Sequence, residues 1–443
     1  MPNGTYGGVR GKETKVGQKT FVSRPTQLRL LHEGDLLRCF RNSASVTYVS
    51  TLPSVSSSAP CISSFVQSLS TFDLNVREWH FVQHSLNGMV VHFFNPGYEA
   101  SILRGVEHYT PPKMVRRLRE DLQTLPIYYA GDEDKVLVTR RLPEELRHSR
   151  LTAHLPVGAE LIPWGWGPEL RGLFPSIKLP YSSAEMAYFA SRERGMELWH
   201  KVFEASPKCF RDTPPRKVEP SLALSPGRWV LKEDFTSSGR GIEMLDSSNV
   251  DITDVLQTKW VQTPPRSLFI EPYYEIVYEL GFEYQRKNGA VAYLGHHRAI
   301  THKAQYIGSY LGEASLGVDI DAYAEWVRQS LQEMELYDYE GIIGVDTALY
   351  HWADGSLHFV PCLEVNIRPT MGFVALSLAQ RYLGNRGGRF VIARRDDPII
   401  RRLTDSKPLY LYDDSTLVEG AYLLSPILDN TYFVAILEVG LKH

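Results

Sequence analysis

The sequence predicts an α/β fold from Met89 onward that closes in a β-rich segment, on three observations. Short apolar runs of strand character alternate with amphipathic helical stretches. Asn288-Gly289 and Asp354-Gly355 sit between apolar runs as turn dipeptides of the kind that close hairpins. The chain also changes character at Met89. Before it, Ser43–Thr51 and Pro53–Cys61 are rich in Ser and Thr and carry no sustained period, so residues 1–88 read as an extension or leader. Glu13, Glu33 and Asp35 argue against a transit peptide, and the abrupt strand Met89-Val90-Val91-His92-Phe93-Phe94 leads us to expect translation to begin at Met89.

The first strand, Val90–Phe94, runs into Asn95-Pro96-Gly97-Tyr98-Glu99. Thr110-Pro111-Pro112 predicts a helix with Thr110 as N-cap and Pro111 at the first helical position. Val115, Leu118, Leu122 and Leu125 share its apolar face. Lys135–Thr139 is the next strand. Ligands gather beyond the carboxyl ends of strands in open parallel sheets, which places Asn95, Glu99, His108 and Tyr109 where a substrate could bind; Asn-Pro-Gly alone equally describes a turn. Pro163-Trp164-Gly165-Trp166-Gly167 reads as a packed junction, with stacking of the tryptophans on a ligand as the lesser alternative. The helix from Ser183 has Met186, Phe189 and Ala190 on one side and carries Arg192, Glu193 and Arg194, which read as solvated charges, with Arg192 reaching a substrate as the lesser alternative.

Trp229-Val230-Leu231-Lys232 is a strand ending in a cation, followed by the loop Thr236-Ser237-Ser238-Gly239-Arg240-Gly241, whose glycines allow backbone to approach a phosphate. Leu268-Phe269-Ile270-Glu271 is the next strand, and Tyr278–Arg286 pairs with Ala290–Arg298 across Lys287-Asn288-Gly289. His296 and His297 point to opposite faces and make a poor bidentate metal site, so Arg298 is the better anion partner there. Asp319–Met334 is an amphipathic helix. Gly341–Asp346 opens a strand that turns at Ala353-Asp354-Gly355 into Leu357–Asn366. The most informative stretch follows: in Glu364-Val365-Asn366-Ile367-Arg368, two oxygen ligands and a cation share one face of a strand while Val365 and Ile367 enter the core. In isolation, E-x-N-x-R also describes an edge strand with a solvated face. The hairpin brings Asp346 toward Glu364 and Asn366, which together offer the hard oxygen donors that Mg²⁺ prefers. Phe373–Leu383 is a helix, and Phe390–Ala393, Leu409–Tyr412, Thr416–Leu424 and Tyr432–Leu437 form the β-rich close.

A lysine on a strand, a Gly/Ser loop, a strand ending in Glu, a second Glu, then D…E-x-N-x-R: this order, over roughly residues 164–384, resembles the ATP-grasp superfamily. The resemblance implies two α+β subdomains that sandwich ATP, preceded by a small Rossmann-like α/β domain as in a bacterial group of that superfamily. It divides the chain into an extension (1–88), a Rossmann-like unit (89–165) and an ATP-grasp domain with its β-rich close (166–443). By resemblance Lys232 meets the nucleotide phosphates, Ser237, Ser238, Gly239 and Gly241 belong to the covering loop, Glu271 and Tyr274 lie at the adenine hinge, and Glu279 near the ribose. Asp346, Glu364 and Asn366 would hold Mg²⁺ (or Mn²⁺), and Arg368, with Lys232 and Arg298, would serve the reaction. The hinge Pro272-Tyr273-Tyr274 and the long separation of Asp346 from Glu364 depart from the usual pattern. The implied activity is ATP-dependent ligation: a carboxylate is activated as an acyl-phosphate and attacked by an amine or thiol. A phosphotransferase, or a nucleotide-binding regulator without turnover, uses the same scaffold.

Composition narrows the field further. A formal net charge of −3 gives no basic excess with which to neutralise nucleic acid. No apolar run approaches the roughly 20 residues of a membrane helix. Cys39, Cys61, Cys209 and Cys362 lack C-x-x-C spacing, which points to reduced thiols in a cytoplasmic setting and to Cys362 as a packed core residue. Phe94-Asn95-Pro96-Gly97 lacks the glycine fingerprint of a dinucleotide oxidoreductase. Small-molecule carboxylate and amine substrates are the partners expected.

Overall fold

The computed structural model describes residues 88–443 apart from 207–208, 211, 220–221, 223, 237–240, 249–250, 263–266, 303–304, 313–315, 353, 413–416 and 441–443. The fold class is the expected mixture of α/β and α+β, built on three sheets. The first comprises β1 (Val90–Phe93), β2 (Lys135–Leu137), β3 (Leu151–Thr152) and β4 (Glu160–Pro163), parallel throughout in the order β3-β2-β1-β4. Helices α1 (Glu99–Arg104) and α2 (Lys113–Asp121) follow β1, and α3 (Glu169–Leu173) follows β4. Helix α2 begins at Lys113, not at the expected proline, and is capped by Pro112 in an extended conformation with no side-chain cap. Thr110 and Pro111 each precede a proline, which disfavours helical backbone at both.

Ser182 caps α4 (Ser183–Ala190) in a full capping box with Glu185. The helix expected to continue breaks at Ser191, and α5 (Glu193–Ala205) starts on a new axis. The buried Asp234 carboxylate holds the break, accepting from Ser191 Oγ at 3.0 Å and from the Arg192 amide at 2.8 Å. The second sheet, antiparallel in the order β5-β8-β6-β7, contains β5 (Arg216–Lys217), β6 (Arg228–Glu233), β7 (Ile242–Asp246) and β8 (Leu268–Pro272), with α6 (Ile252–Gln262) on its apolar face.

The third sheet is the largest. It contains β9 (Ile276–Lys287), β10 (Ala290–His302), β11 (Gln305–Leu311), β12 (Gly341–His351), β13 (Leu357–Phe359), β14 (Glu364–Asn366), β15 (Gly388–Arg394), β16 (Gly420–Leu423) and β17 (Phe433–Val439). The path runs β13-β12-β9-β10-β11-β15-β17-β16, and β14 pairs with β12. Asn288 and Gly289 both adopt positive φ in the β9–β10 turn, as a two-residue hairpin requires. Asp319 caps α7 (Ile320–Glu333). α8 (Met371–Leu378) lies on the sheet and ends in a π turn at Ala379–Leu383, and α9 (Pro398–Arg402) follows β15. The expected strand at 409–412 is a 3₁₀ turn, Leu409–Leu411, following Pro408, which has no N–H to give a ladder.

One apolar cluster joins Val91 and Phe93 of the first sheet to Leu198 of α5, Phe282 and Tyr284 of β9, Val327 of α7 and Val365 of β14. Among the described residues no helix is long and apolar enough to cross a membrane. The Trp-Gly-Trp junction is packed as expected: Trp164 sits edge-on to Phe94, Trp166 edge-on to Tyr181, and the Tyr98 ring lies against Gly165. A Cβ at Gly165 would stand 1.9 Å from that ring. Gly165→Ala is therefore expected to cost about 1–3 kcal/mol through forced repacking. A urea midpoint unchanged from wild type would contradict so close an approach.

Candidate active site

Alternation along the second sheet sets one wall of a cleft. Trp229 and Leu231 of β6 and Leu268 and Ile270 of β8 go to the α6 core, so Lys232, Phe269 and Glu271 emerge on the opposite face. There Lys232 Nζ lies 2.5 Å from Glu271 Oε1, and both side chains are largely buried. The facing wall carries Cys362, Leu363 and Glu364, with Arg192 and Gly195 from the start of α5. Cys362 is packed and buried, as its sequence context suggested. Gly195 lets the helix approach the strand: a Cβ there would lie 3.5 Å from the Glu364 Cα.

The hairpin delivers Asp346 as its pattern implied. In the β12–β14 ladder Asp346 stands opposite Glu364 and Gly344 opposite Asn366, and Asn366 Nδ2 donates to Asp346 Oδ2 at 3.0 Å. Burial and the facing Glu364 carboxylate push the Asp346 pKa up to about 7. Among the described residues no three His, Cys, Asp or Glu side chains form a ready-made metal site. Two carboxylates and the Asn366 amide oxygen nevertheless supply a donor set suited to a hard cation that completes its shell with water and phosphate oxygens. A cation between the two carboxylates would offset their repulsion and favour ionised Asp346.

Sequence reading gave one group here only as the lesser alternative and missed another. Arg192 was expected in solvent, but the helix break turns it inward: its guanidinium lies 3.4 Å from Glu364 and donates to the Glu233 carbonyl at 2.9 Å and to the Thr236 carbonyl at 3.2 Å. Helical periodicity could not signal this, because the break is imposed by Asp234, distant in sequence. The other is Glu283, on the same sheet face as Glu279 and Gly281 and opposite Gly344. It is 1% exposed, accepts a hydrogen bond from Thr370 Oγ1, and lies 3.6 Å from His297 Nε2. Burial raises its pKa to about 8 and lowers that of His297 to about 4. The alternation Glu279-Leu280-Gly281-Phe282-Glu283 was its only signal.

These shifts have opposite consequences for stability. Glu283 binds its proton more tightly folded than unfolded, so its contribution is present below about pH 4.5 and is lost as pH rises toward 8. His297 contributes above about pH 6.5, and that contribution is lost as pH falls toward 4. Between pH 7 and 8 His297 is neutral in the folded state and mostly so in the unfolded one, and the same residue is present in wild type and variant. Glu283→Gln should remove a decline of about 1 kcal/mol between those two pH values. Denaturation series at the two pH values would contradict this if wild type and variant showed the same slope.

Arg368 reaches away from the ladder toward α1, with Nε 3.2 Å from Glu99 Oε1 and Nη1 donating to the Pro369 carbonyl at 3.1 Å. Glu99 is thus buried against a candidate reactive group. Asn95, by contrast, is consumed by structure: its amide binds the Gly165 carbonyl at 2.9 Å, the Gly165 N–H at 3.1 Å and Glu169 at 3.3 Å, which corrects its reading as a ligand group. His108 is exposed, and Tyr109 lies beneath Arg104, neither in the cleft. Arg298 is also corrected. It pairs with Leu280, one position out of phase with His297 and Gly281, so its side chain takes the opposite sheet face and stacks on Tyr278 and Tyr310.

Glu279 shares the Glu283 face and is half-buried, bonded to the Thr301 hydroxyl, with its pKa raised by burial. Tyr274 packs on Tyr350 with ring centroids 4.9 Å apart, and burial raises its pKa. Gly241 adopts φ 64° and its carbonyl accepts from the Glu233 amide at 2.9 Å. Ser237, Ser238 and Gly239 lie outside the described residues.

No family model matches the chain. No curated protein matches it either. Among solved structures it is similar to N5-carboxyaminoimidazole synthetase from Staphylococcus aureus complexed with ADP (10% identity, 80% of this chain and 94% of that one, TM-score 0.45). It is similar to biotin carboxylase from Campylobacter jejuni (10% identity, 63% and 70%, TM-score 0.41). A third similarity is to an ATP-grasp superfamily protein from Archaeoglobus fulgidus (12% identity, 59% and 67%, TM-score 0.31).

Proposed function

We propose that this chain is an ATP-grasp ligase that activates a small carboxylate with ATP for attack by an amine or thiol. One observation carries the reading: two separate sheets turn Lys232 and Glu271 on one side, and Glu364 on the other, into a single cleft, with Asp346 and Asn366 laddered beside Glu364. The sequence order of these groups matches the superfamily whose resemblance it carries.

In this reading Lys232 offsets phosphate charge once nucleotide draws it from Glu271, and Arg192 adds a second cation at the same mouth. Glu271, with Tyr274 beside it, serves the base end of the nucleotide, and Glu279 the ribose side. Asp346, Glu364 and Asn366 would hold Mg²⁺ or Mn²⁺, which when bound supplies Lewis-acid charge neutralisation at the phosphates. Arg368, fixed by Glu99, orients the substrate carboxylate. Arg298 acts at most by holding Tyr278 and Tyr310 in place.

The test is release of phosphate and ADP from ATP and Mg²⁺ by the full chain, offered pools of small carboxylates with and without amines. Equal release of ADP and phosphate that requires both partners supports the reading. A stable phosphorylated product would replace it with a phosphotransferase, and tight ATP binding with no turnover in any pool would favour a nucleotide-sensing protein.

A further inference from the structure

A second cavity lies between the first and third sheets, and Arg368 is in its lining. Trp164, Trp166, Tyr129, Tyr339 and Phe373 supply aromatic walls, with Ile162 and Ile342 between them. None of this is required by the nucleotide cleft, whose lining is a different set of residues. His92 and Asp134 also line the cavity. His92 is 6% exposed, and its Nε2 lies 3.0 Å from Asp134 Oδ2, which also accepts from the Gly131 amide at 2.9 Å. The carboxylate can only accept, so Nε2 carries a proton, and in the neutral imidazole Nδ1 is then an acceptor. Nδ1 is buried and has no hydrogen-bond partner among the described residues. A buried acceptor left unmatched is costly, so a donor supplied by a ligand would be selected strongly.

We infer that this cavity is the acid-substrate subsite and that it takes carboxylic acids with an aromatic body and a hydroxyl or amino donor at the far end. The carboxylate meets Arg368, the ring lies between the aromatic walls, and the donor faces His92. The assignment rests on the ligase reading for its role in turnover, because Arg368 is the group shared with the proposed chemistry, but binding of the acid alone does not require ATP. The aromatic walls favour an acid whose ring covers them over a small acid that leaves them bare, and Arg286, Lys287 and Glu340 also line the cavity.

Calorimetry on the full chain with 3-(4-hydroxyphenyl)propanoate, 3-phenylpropanoate and acetate tests it. The hydroxylated acid should bind more tightly than the phenyl acid, and acetate should not bind measurably. His92→Phe should abolish the preference for the hydroxyl, because a site built to pair that group then has nothing to pair it. Gln285→Trp, which fills the cavity from its half-exposed rim, should weaken both aromatic acids at least about tenfold and leave ADP affinity unchanged. Should Gln285→Trp fail to bind ADP, Ile162→Trp fills the same space from the opposite wall. Absence of aromatic-acid binding in the wild type, or equal binding by both filled variants, overturns the inference. ADP binding without acid binding sinks this subsite alone, whereas acid binding that follows the variants without any ADP binding keeps the subsite and sinks the ligase.

Discussion

Glu364→Ala is expected to lower carboxylate-dependent ATP turnover by at least about 100-fold, the scale seen when one electrostatic stabiliser of a transferring group is removed. The fold should survive. Glu364 is half-buried and its backbone pairing with Asp346 does not depend on its side chain. Its removal also takes away a carboxylate whose repulsion helps hold Asp346 near pKa 7, so Asp346 should ionise at lower pH in the variant. The loss of rate therefore cannot be assigned to a less charged Asp346. Arg192 loses an ion partner but keeps its carbonyl acceptors at Glu233 and Thr236. Steady-state turnover beside a thermal unfolding scan checks both halves, and a variant within about fivefold of wild type would remove Glu364 from the cation-binding set.

Lys232→Met should weaken nucleotide binding by about 2–5 kcal/mol, the range for truncating one member of a buried charged pair. Its effect on stability needs separating from its effect on binding. Lys232 and Glu271 are 11% and 12% exposed, so deleting the lysine leaves a carboxylate largely out of water, a loss that approaches about 3–5 kcal/mol only for wholly buried pairs. Adding Glu271→Gln to Lys232→Met should restore most of the stability without restoring nucleotide affinity. Recovery of both in the double variant would show that Lys232 serves the fold and not the ligand.

The difference between what sequence order and strand alternation could reach is clearest residue by residue. Glu364, Asn366 and Asp346 were legible because a period of two and a D-G turn suffice to put them on one face of one hairpin. Lys232 and Glu271 were singled out by the order of motifs along the chain, and the pairing of β6 with β8 puts them on one face. Arg298 was misplaced because the register of β9 with β10, which decides the face, includes a shift between Tyr293 and Gly295 that no short window reveals. Arg192 was misplaced because a helix that looks continuous in periodicity is cut by Asp234 from another sheet. Asn95 looked available as a ligand group until Gly165 and Glu169, about 70 residues on, were seen to occupy its amide. Local pattern thus specified elements and faces, while long-range partners decided which polar groups remained for chemistry.

The claim that the two sheets close on a metal-bound nucleotide is tested most directly by calorimetric titration of ATP into the full chain, with and without Mg²⁺, for wild type, Lys232→Met and Glu364→Ala. Wild type should bind more tightly with Mg²⁺, Lys232→Met should bind weakly under both conditions, and Glu364→Ala should keep metal-free binding while losing the Mg²⁺ enhancement. ATP affinity that is absent in wild type, or that neither substitution changes, would contradict the account.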